Sequence, residues 1–100
     1  MAQFDIYEGR GEGIAFLIDL QHDMLDSLST RIVAPLVSPE TAGPPMRTVN
    51  PLISVGSEQY ILMTQLLAAI PISTLNSPVG SVQTQREEIV AAIDLLFTGL

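Results

Sequence analysis

The chain has 100 residues, 47% of them hydrophobic, and this length and composition fit a single domain, residues 1–100, that buries its own core. Eleven Asp and Glu oppose four Arg, so no basic patch favours nucleic acid or an anionic membrane, and the absence of Cys excludes disulfides and thiolate chemistry. The sequence shows neither the basic and then apolar pattern of a signal peptide nor an apolar run long enough to span a membrane. We therefore expect a soluble cytoplasmic protein with protein partners.

The N-terminal part of the chain predicts a β-hairpin. Phe4 and Ile6 alternate with polar residues, as in a half-buried strand, and glycines in the segment 9–13 permit a tight turn. The run from Ile14 to Leu20 is nearly continuously apolar, which suits a central strand, although periodicity alone also allows a buried helix. The preceding glycine turn favours the strand.

The middle of the chain predicts further strands and one short helix. Pro35 lies in the apolar run 31–37 and has no N–H to donate, so we expect it at a sheet edge or a bulge. Met63 to Ile70 has good helix formers and ends at a proline, which predicts a short internal helix of about two turns. The remaining predictions are a stiff connection over 39–45, strands over 49–55 and 58–62 joined by a turn, and a return of 72–75 to the sheet.

Thr84 to Leu100 predicts a capped amphipathic helix. Thr84 and Glu87 have the spacing of a capping box, and Gly99 is typical of a helix C-terminus. One apolar stripe follows helical spacing through Ile89, Ile93, Leu96, Phe97 and Leu100. We favour the interpretation that Phe97 and Leu100 complete this core-facing stripe, and the alternative is that they form a small docking tip for another protein.

One cluster of polar residues suggests catalytic or metal chemistry. On a helix, Asp19, His22, Asp23 and Asp26 would share a face, as in a hard-metal or acid–base site. At the end of a strand, the same Asp residues serve local backbone hydrogen bonds, and this interpretation is favoured because a strand precedes them. With one His and no Cys, few ligands for zinc or partners for a catalytic triad are present.

The remaining candidate residues favour structural roles. The glycines of 9–13 lack the Lys-Ser/Thr of a phosphate-binding loop and no helix follows them, so a hairpin turn is favoured. We expect most of the four Arg residues, Arg10, Arg31, Arg47 and Arg86, to be solvated or paired with nearby carboxylates. Tyr60 is expected to pack within its hairpin rather than act as an acid.

Taken together, these segments resemble the CcdB toxins of bacterial toxin–antitoxin modules. They occur in family order over nearly the whole chain and end at the same terminus. The matching segments are Gln3-Phe4 with Tyr7, Ile18-Asp19-Leu20-Gln21 with Asp23 and Asp26, Arg31 to Ser38, Glu58 to Thr64, Pro71-Ile72-Ser73, Arg86-Glu87, and Ala92 to Leu100.

The resemblance implies a mostly β fold, a small SH3-like barrel with extra strands, a short internal helix and a C-terminal helix, assembled as a homodimer. It also implies a toxin without catalytic activity or cofactor, which binds the A subunit of DNA gyrase, traps the enzyme on cleaved DNA, and is neutralised by a CcdA-like antitoxin with an acidic tail. The family's gyrase contact is a terminal Trp-Gly-Ile, and the corresponding residues here are Thr98, Gly99 and Leu100. Thr98 therefore departs from the family by lacking the aromatic ring.

Two alternative functions remain open. A protein without the terminal Trp could bind an antitoxin yet have lost gyrase poisoning, or act on a different protein. The related MazF toxins share the fold and cleave RNA, but the acidic balance and dispersed Arg residues count against an RNA-cleaving enzyme. Because the formal net charge is −7, we expect an antitoxin that is less acidic than is usual in the family or that binds mainly through apolar anchors.

Overall fold

Seven short antiparallel strands form one curled sheet, a half-barrel consistent with a small SH3-like barrel, and a C-terminal helix packs against it. The computed structural model describes residues 2–9, 11–46 and 48–99. The elements are β1 (Asp5–Glu8), β2 (Ile14–Asp19), β3 (Thr30–Val37), α1 (Pro39–Ala42), β4 (Leu52–Val55), β5 (Glu58–Leu62), β6 (Ala68–Pro71), β7 (Gly80–Ser81) and α2 (Arg86–Thr98). Single 3₁₀ turns occupy Asp23–Leu25, Thr64–Leu66, Ile72–Thr74 and Gln83–Gln85.

The sheet has the strand order β4-β5-β3-β2-β1-β7, and β6 pairs with β3 beside β5. The predicted hairpin of β1 and β2 is confirmed, with Ile6 opposite Ile18. A glycine is needed at position 9, directly after β1, because a Cβ there would lie 2.1 Å from the carbonyl oxygen of Ile14. Arg10 of the predicted turn lies outside the described residues.

The core fills the concave side of the sheet beneath α2. In β3, for example, the alternate residues Ala34 and Leu36 both belong to the core, as expected for side chains two residues apart on a strand. Tyr60 packs edge-to-face on Phe16 with ring centroids 5.4 Å apart, so its predicted packing role is confirmed. The buried cluster consists of Phe4, Ile6, Ile18, Leu20, Ala34, Leu36, Ile53, Leu62, Val82 and Ile89.

Pro35 was predicted at a sheet edge or a bulge, but it lies inside the central strand β3. This strand pairs with β6 through Val33 and with β5 from Leu36 onward, so Pro35 lies where the pairing changes from β6 to β5. Its carbonyl accepts a hydrogen bond from the Met63 N–H at 2.9 Å, on the side where its own missing N–H would point. The sheet loses no ladder bond there, and the nearby register shift falls on β2, between residues 14 and 16.

Two further local predictions are wrong, and a third segment contains a short helix that was not predicted. The helix predicted from Met63 to Ile70 is only the 3₁₀ turn Thr64–Leu66 followed by strand β6, since Ala68–Pro71 pair with Thr30–Val33. The segment 72–75, predicted to return to the sheet, forms the 3₁₀ turn Ile72–Thr74. Part of the connection predicted over 39–45 forms α1, whose first turn is capped by the Ser38 hydroxyl.

The C-terminal helix is confirmed, but it begins at Arg86 and the predicted capping box of Thr84 and Glu87 does not form. Its N-cap is Gln85, whose side chain instead bonds both the N–H and the carbonyl of Ser54, each at 2.8 Å. A single carboxamide thereby joins the start of α2 to the edge strand β4. Within the described residues, no helix is long and apolar enough to cross a membrane.

Candidate functional site: the end of the C-terminal helix and its apolar groove

The last turn of α2 projects exposed residues from the sheet. Gly99 ends the helix in the left-handed conformation, with φ 74°, and its N–H bonds the Leu95 carbonyl. The Thr98 hydroxyl donates to the Asp94 carbonyl at 2.7 Å, so it is engaged by its own helix. Leu100, the third predicted contact residue, lies outside the described residues.

The apolar stripe of α2 is buried only along its first half. Ile89 and Ala92 are buried and Ile93 is half-buried, whereas Leu96 is 36% and Phe97 67% exposed. The prediction that Phe97 completes the core-facing stripe is therefore wrong. Its exposed ring is available for the alternative role, contact with another protein.

An apolar groove of about 380 Å³ lies between this part of α2 and the connection from β2 to β3. It is distinct from a second apolar cavity of about 330 Å³, which lies at the opposite ends of β2 and β3, beside α1. The groove is lined by Leu20, Gln21, His22, Leu25, Leu28, Thr30, Ile32, Leu67, Ile93 and Phe97. Phe97 thus shares a concave apolar surface with residues distant in sequence.

The connection between β2 and β3 adds three exposed apolar side chains that sequence reasoning missed. Met24 is 85% exposed, Leu25 49% and Leu28 48%. We define the docking surface as these three residues together with Phe97, Thr98 and Gly99. The only sequence signal was the presence of apolar residues among Asp and Ser in a turn.

The polar cluster predicted on this connection serves local structure. His22 caps the 3₁₀ turn by accepting the Met24 N–H at Nδ1 at 3.0 Å, and Asp23 accepts the Gln3 N–H at 2.7 Å. Asp19 and Asp26 both face Arg31 rather than a shared metal position. In the described part of the chain, no three His, Asp or Glu side chains come together as metal ligands.

Arg31 is the centre of a buried polar network beneath the docking surface. Its guanidinium lies 2.7 Å from the Asp19 carboxylate and 2.8 Å from that of Asp26, and it also donates to the Gln21 carbonyl. Its predicted pairing with carboxylates is confirmed, but the side chain is fully buried. The network therefore links strands β2 and β3 to the connection between them.

The electrostatics of the buried pair reflect two opposing effects. Burial raises the pKa of the Asp19 carboxyl, and hydrogen bonds from Arg31 and the Gln21 N–H oppose that rise. Burial by itself lowers the pKa of Arg31, but the hydrogen bond and charge of Asp19 raise it above its ordinary value. Ionised Asp19 and Arg31 consequently depend on each other inside the protein.

Comparison with known protein families identifies the family to which the chain is similar. A family model described as "CcdB protein" matches residues 3–99, nearly the whole chain. The match includes the Arg31 network, the groove and the described end of α2.

Proposed function

Because this chain belongs to the CcdB family of toxins from toxin–antitoxin modules, we propose that it binds the A subunit of DNA gyrase and traps the enzyme on cleaved DNA. The docking surface is the observation that carries the proposal. Thr98 and Gly99, two of the three positions at which the family's target contact is expected, are exposed, and Phe97 beside them is exposed at an apolar groove. The protein acts in this proposal by binding, without a catalytic residue of its own.

The proposed assembly is a homodimer that presents two copies of Thr98-Gly99-Leu100 side by side to gyrase. Membership of the CcdB family supports this assembly. Sedimentation of the purified protein tests this assembly, and a monomer at micromolar concentration would contradict it.

We place the antitoxin contact at the second cavity, away from the docking surface. That cavity is lined largely by apolar atoms of Pro35, Val37, Met63 and Leu66. An antitoxin segment with apolar anchors fits it, and the formal net charge of −7 disfavours a strongly acidic segment. Antitoxin and gyrase would then contact opposite ends of strands β2 and β3.

Thr98 favours a second candidate function, an antitoxin-binding protein that no longer poisons gyrase or has another target. The family's Trp offers a flat ring for stacking and cation–π contacts, worth about 1–2 kcal/mol when desolvated. The Thr98 side chain is small, and its hydroxyl is already bonded to Asp94.

Calorimetric titration with the gyrase A subunit separates these candidates. We expect the wild-type protein to bind and Phe97→Ala to weaken binding about tenfold. Leu52→Ala is the matched control, because Leu52 is also an exposed apolar residue but lies on β4, and its binding should equal wild type. A protein that binds its antitoxin but not gyrase would establish the second candidate instead.

A further inference from the structure

The connection between β2 and β3 is held in place only in part by burial of its own apolar side chains. Met24 is 85% exposed, Leu25 49% and Leu28 48%, so transfer of these side chains out of water fixes their positions incompletely. Polar contacts from beneath add a further restraint on the shape of this part of the docking surface.

Arg31 provides the principal charged contact of this kind. Its guanidinium is fixed in the core by Asp19, through hydrogen bonds from Nε at 2.9 Å and an ion pair at 2.7 Å. Another guanidinium nitrogen, Nη1, donates to Asp26 at 2.8 Å. Asp26 lies between Leu25 and Leu28 in sequence, so this bond ties the exposed apolar stretch to a fixed point in the sheet.

A second contact acts on the same stretch but through the backbone. The Gln21 side chain donates to the Leu25 carbonyl at 3.0 Å and accepts the Ile32 N–H at 3.1 Å. Gln21 thus supports the beginning of the stretch, whereas Asp26 is the side chain through which Arg31 holds its centre.

We propose that Asp26, through its ion pair with Arg31, is a positioning residue that holds Met24, Leu25 and Leu28 in the arrangement that the docking partner recognises. The role in docking rests on the proposed function, whereas the ordering of the connection does not. Asp26 itself is 59% exposed, so water can replace its carboxylate without opening the core around Asp19. Its removal should consequently disorder the connection while leaving the fold intact.

Amide hydrogen exchange and gyrase titration of the Asp26→Ala protein test this proposal. We expect exchange at Leu25 and Leu28 to accelerate about tenfold, because their N–H groups bond carbonyls within the connection. Affinity for the gyrase A subunit should fall about tenfold, with little change in the unfolding midpoint. Asp26→Asn keeps an oxygen that accepts from Arg31 and should restore most of both properties. Glu58→Ala removes an exposed carboxylate from β5 and should resemble wild type.

Each contrary outcome has a distinct meaning. Unchanged exchange at Leu25 and Leu28 in Asp26→Ala would overturn the proposal, as would faster exchange with unchanged gyrase affinity. If the wild-type protein does not bind gyrase, the proposed function fails, and the exchange rates then decide by themselves whether Asp26 orders the connection.

Discussion

The Arg31 guanidinium and the Asp19 carboxylate form an ion pair at 2.7 Å in which neither side chain is exposed to solvent. A buried pair of this kind is strongly interdependent, since removal of one partner leaves the other as an uncompensated charge. The pair sits in the two central strands, β2 and β3, directly beneath the docking surface.

Replacing Arg31 with Met should therefore destabilise the protein by about 3–5 kcal/mol in urea unfolding, because buried Asp19 loses its counter-charge. The double variant Arg31→Met with Asp19→Leu should recover part of this loss, since no unpaired charge remains. Arg86→Met is the control, because Arg86 is exposed at the start of α2, and its cost should stay below about 0.5 kcal/mol. A loss under about 1 kcal/mol for Arg31→Met would contradict the interdependence of the pair.

Gln85, rather than the predicted Thr84 cap, should stabilise the start of α2. Gln85→Ala removes two hydrogen bonds to Ser54 and should cost about 1–2 kcal/mol of unfolding free energy. Thr84→Ala should change it by less than about 0.5 kcal/mol, because the capping box is absent. Thermal or urea unfolding of the two variants distinguishes the roles, and equal costs would show that this assignment is wrong.

Tyr7 should make the protein sensitive to alkaline pH. Burial, followed by the charge of Asp19, raises the pKa of the Tyr7 hydroxyl from 10.0 to about 12. Because the folded-state pKa is the higher one, the associated stability is complete below pH 10 and is lost as the pH rises towards 12. Between these pH values the free energy of unfolding should therefore fall by about 1–2 kcal/mol less in Tyr7→Phe than in wild type.

The same variant should not be destabilised at neutral pH. The Tyr7 hydroxyl is buried and has no hydrogen-bond partner among the described protein groups, so its removal deletes an unsatisfied polar group. Unfolding of Tyr7→Phe at pH 7 should match wild type or exceed it by up to about 1 kcal/mol. A clear loss at pH 7 would show that the hydroxyl does contribute a stabilising bond.

Thr98→Trp should strengthen binding to the gyrase A subunit. It supplies the aromatic surface that the family carries at this position, and we expect a gain of about 1–2 kcal/mol per contact, read by calorimetry. Thr84→Trp places the same side chain at an exposed position before the opposite end of α2 and should give no gain. Equal effects of the two substitutions would indicate nonspecific apolar binding.

The parts of the fold that could be predicted from the sequence are those specified by residues close to one another in the chain. The glycine hairpin, strand β5 and the Gly99 helix end depend on nearby residues, and all three are confirmed. The helix predicted for residues 63–70 is wrong because pairing of β6 with β3, a contact between distant segments, outweighs the helix propensity of these residues.

The candidate site was predictable only at its helix end. The exposure of Phe97 and of Met24 depends on where the sheet ends beneath them, which no local pattern specifies. The complete burial of Arg31 likewise requires Asp19 from the neighbouring strand. The site therefore combines a segment that the resemblance indicated with a connection that only the tertiary structure brings beside it.

Poisoning of gyrase itself is the most direct test of the proposed function. Purified protein would be incubated with DNA gyrase, ATP and circular DNA, and the linear DNA released by detergent would be measured. We predict linear DNA that increases with protein concentration, with Thr98→Trp effective at lower concentration than wild type. The absence of linear DNA with both proteins, each folded and dimeric, would contradict the proposal that this chain traps gyrase on cleaved DNA.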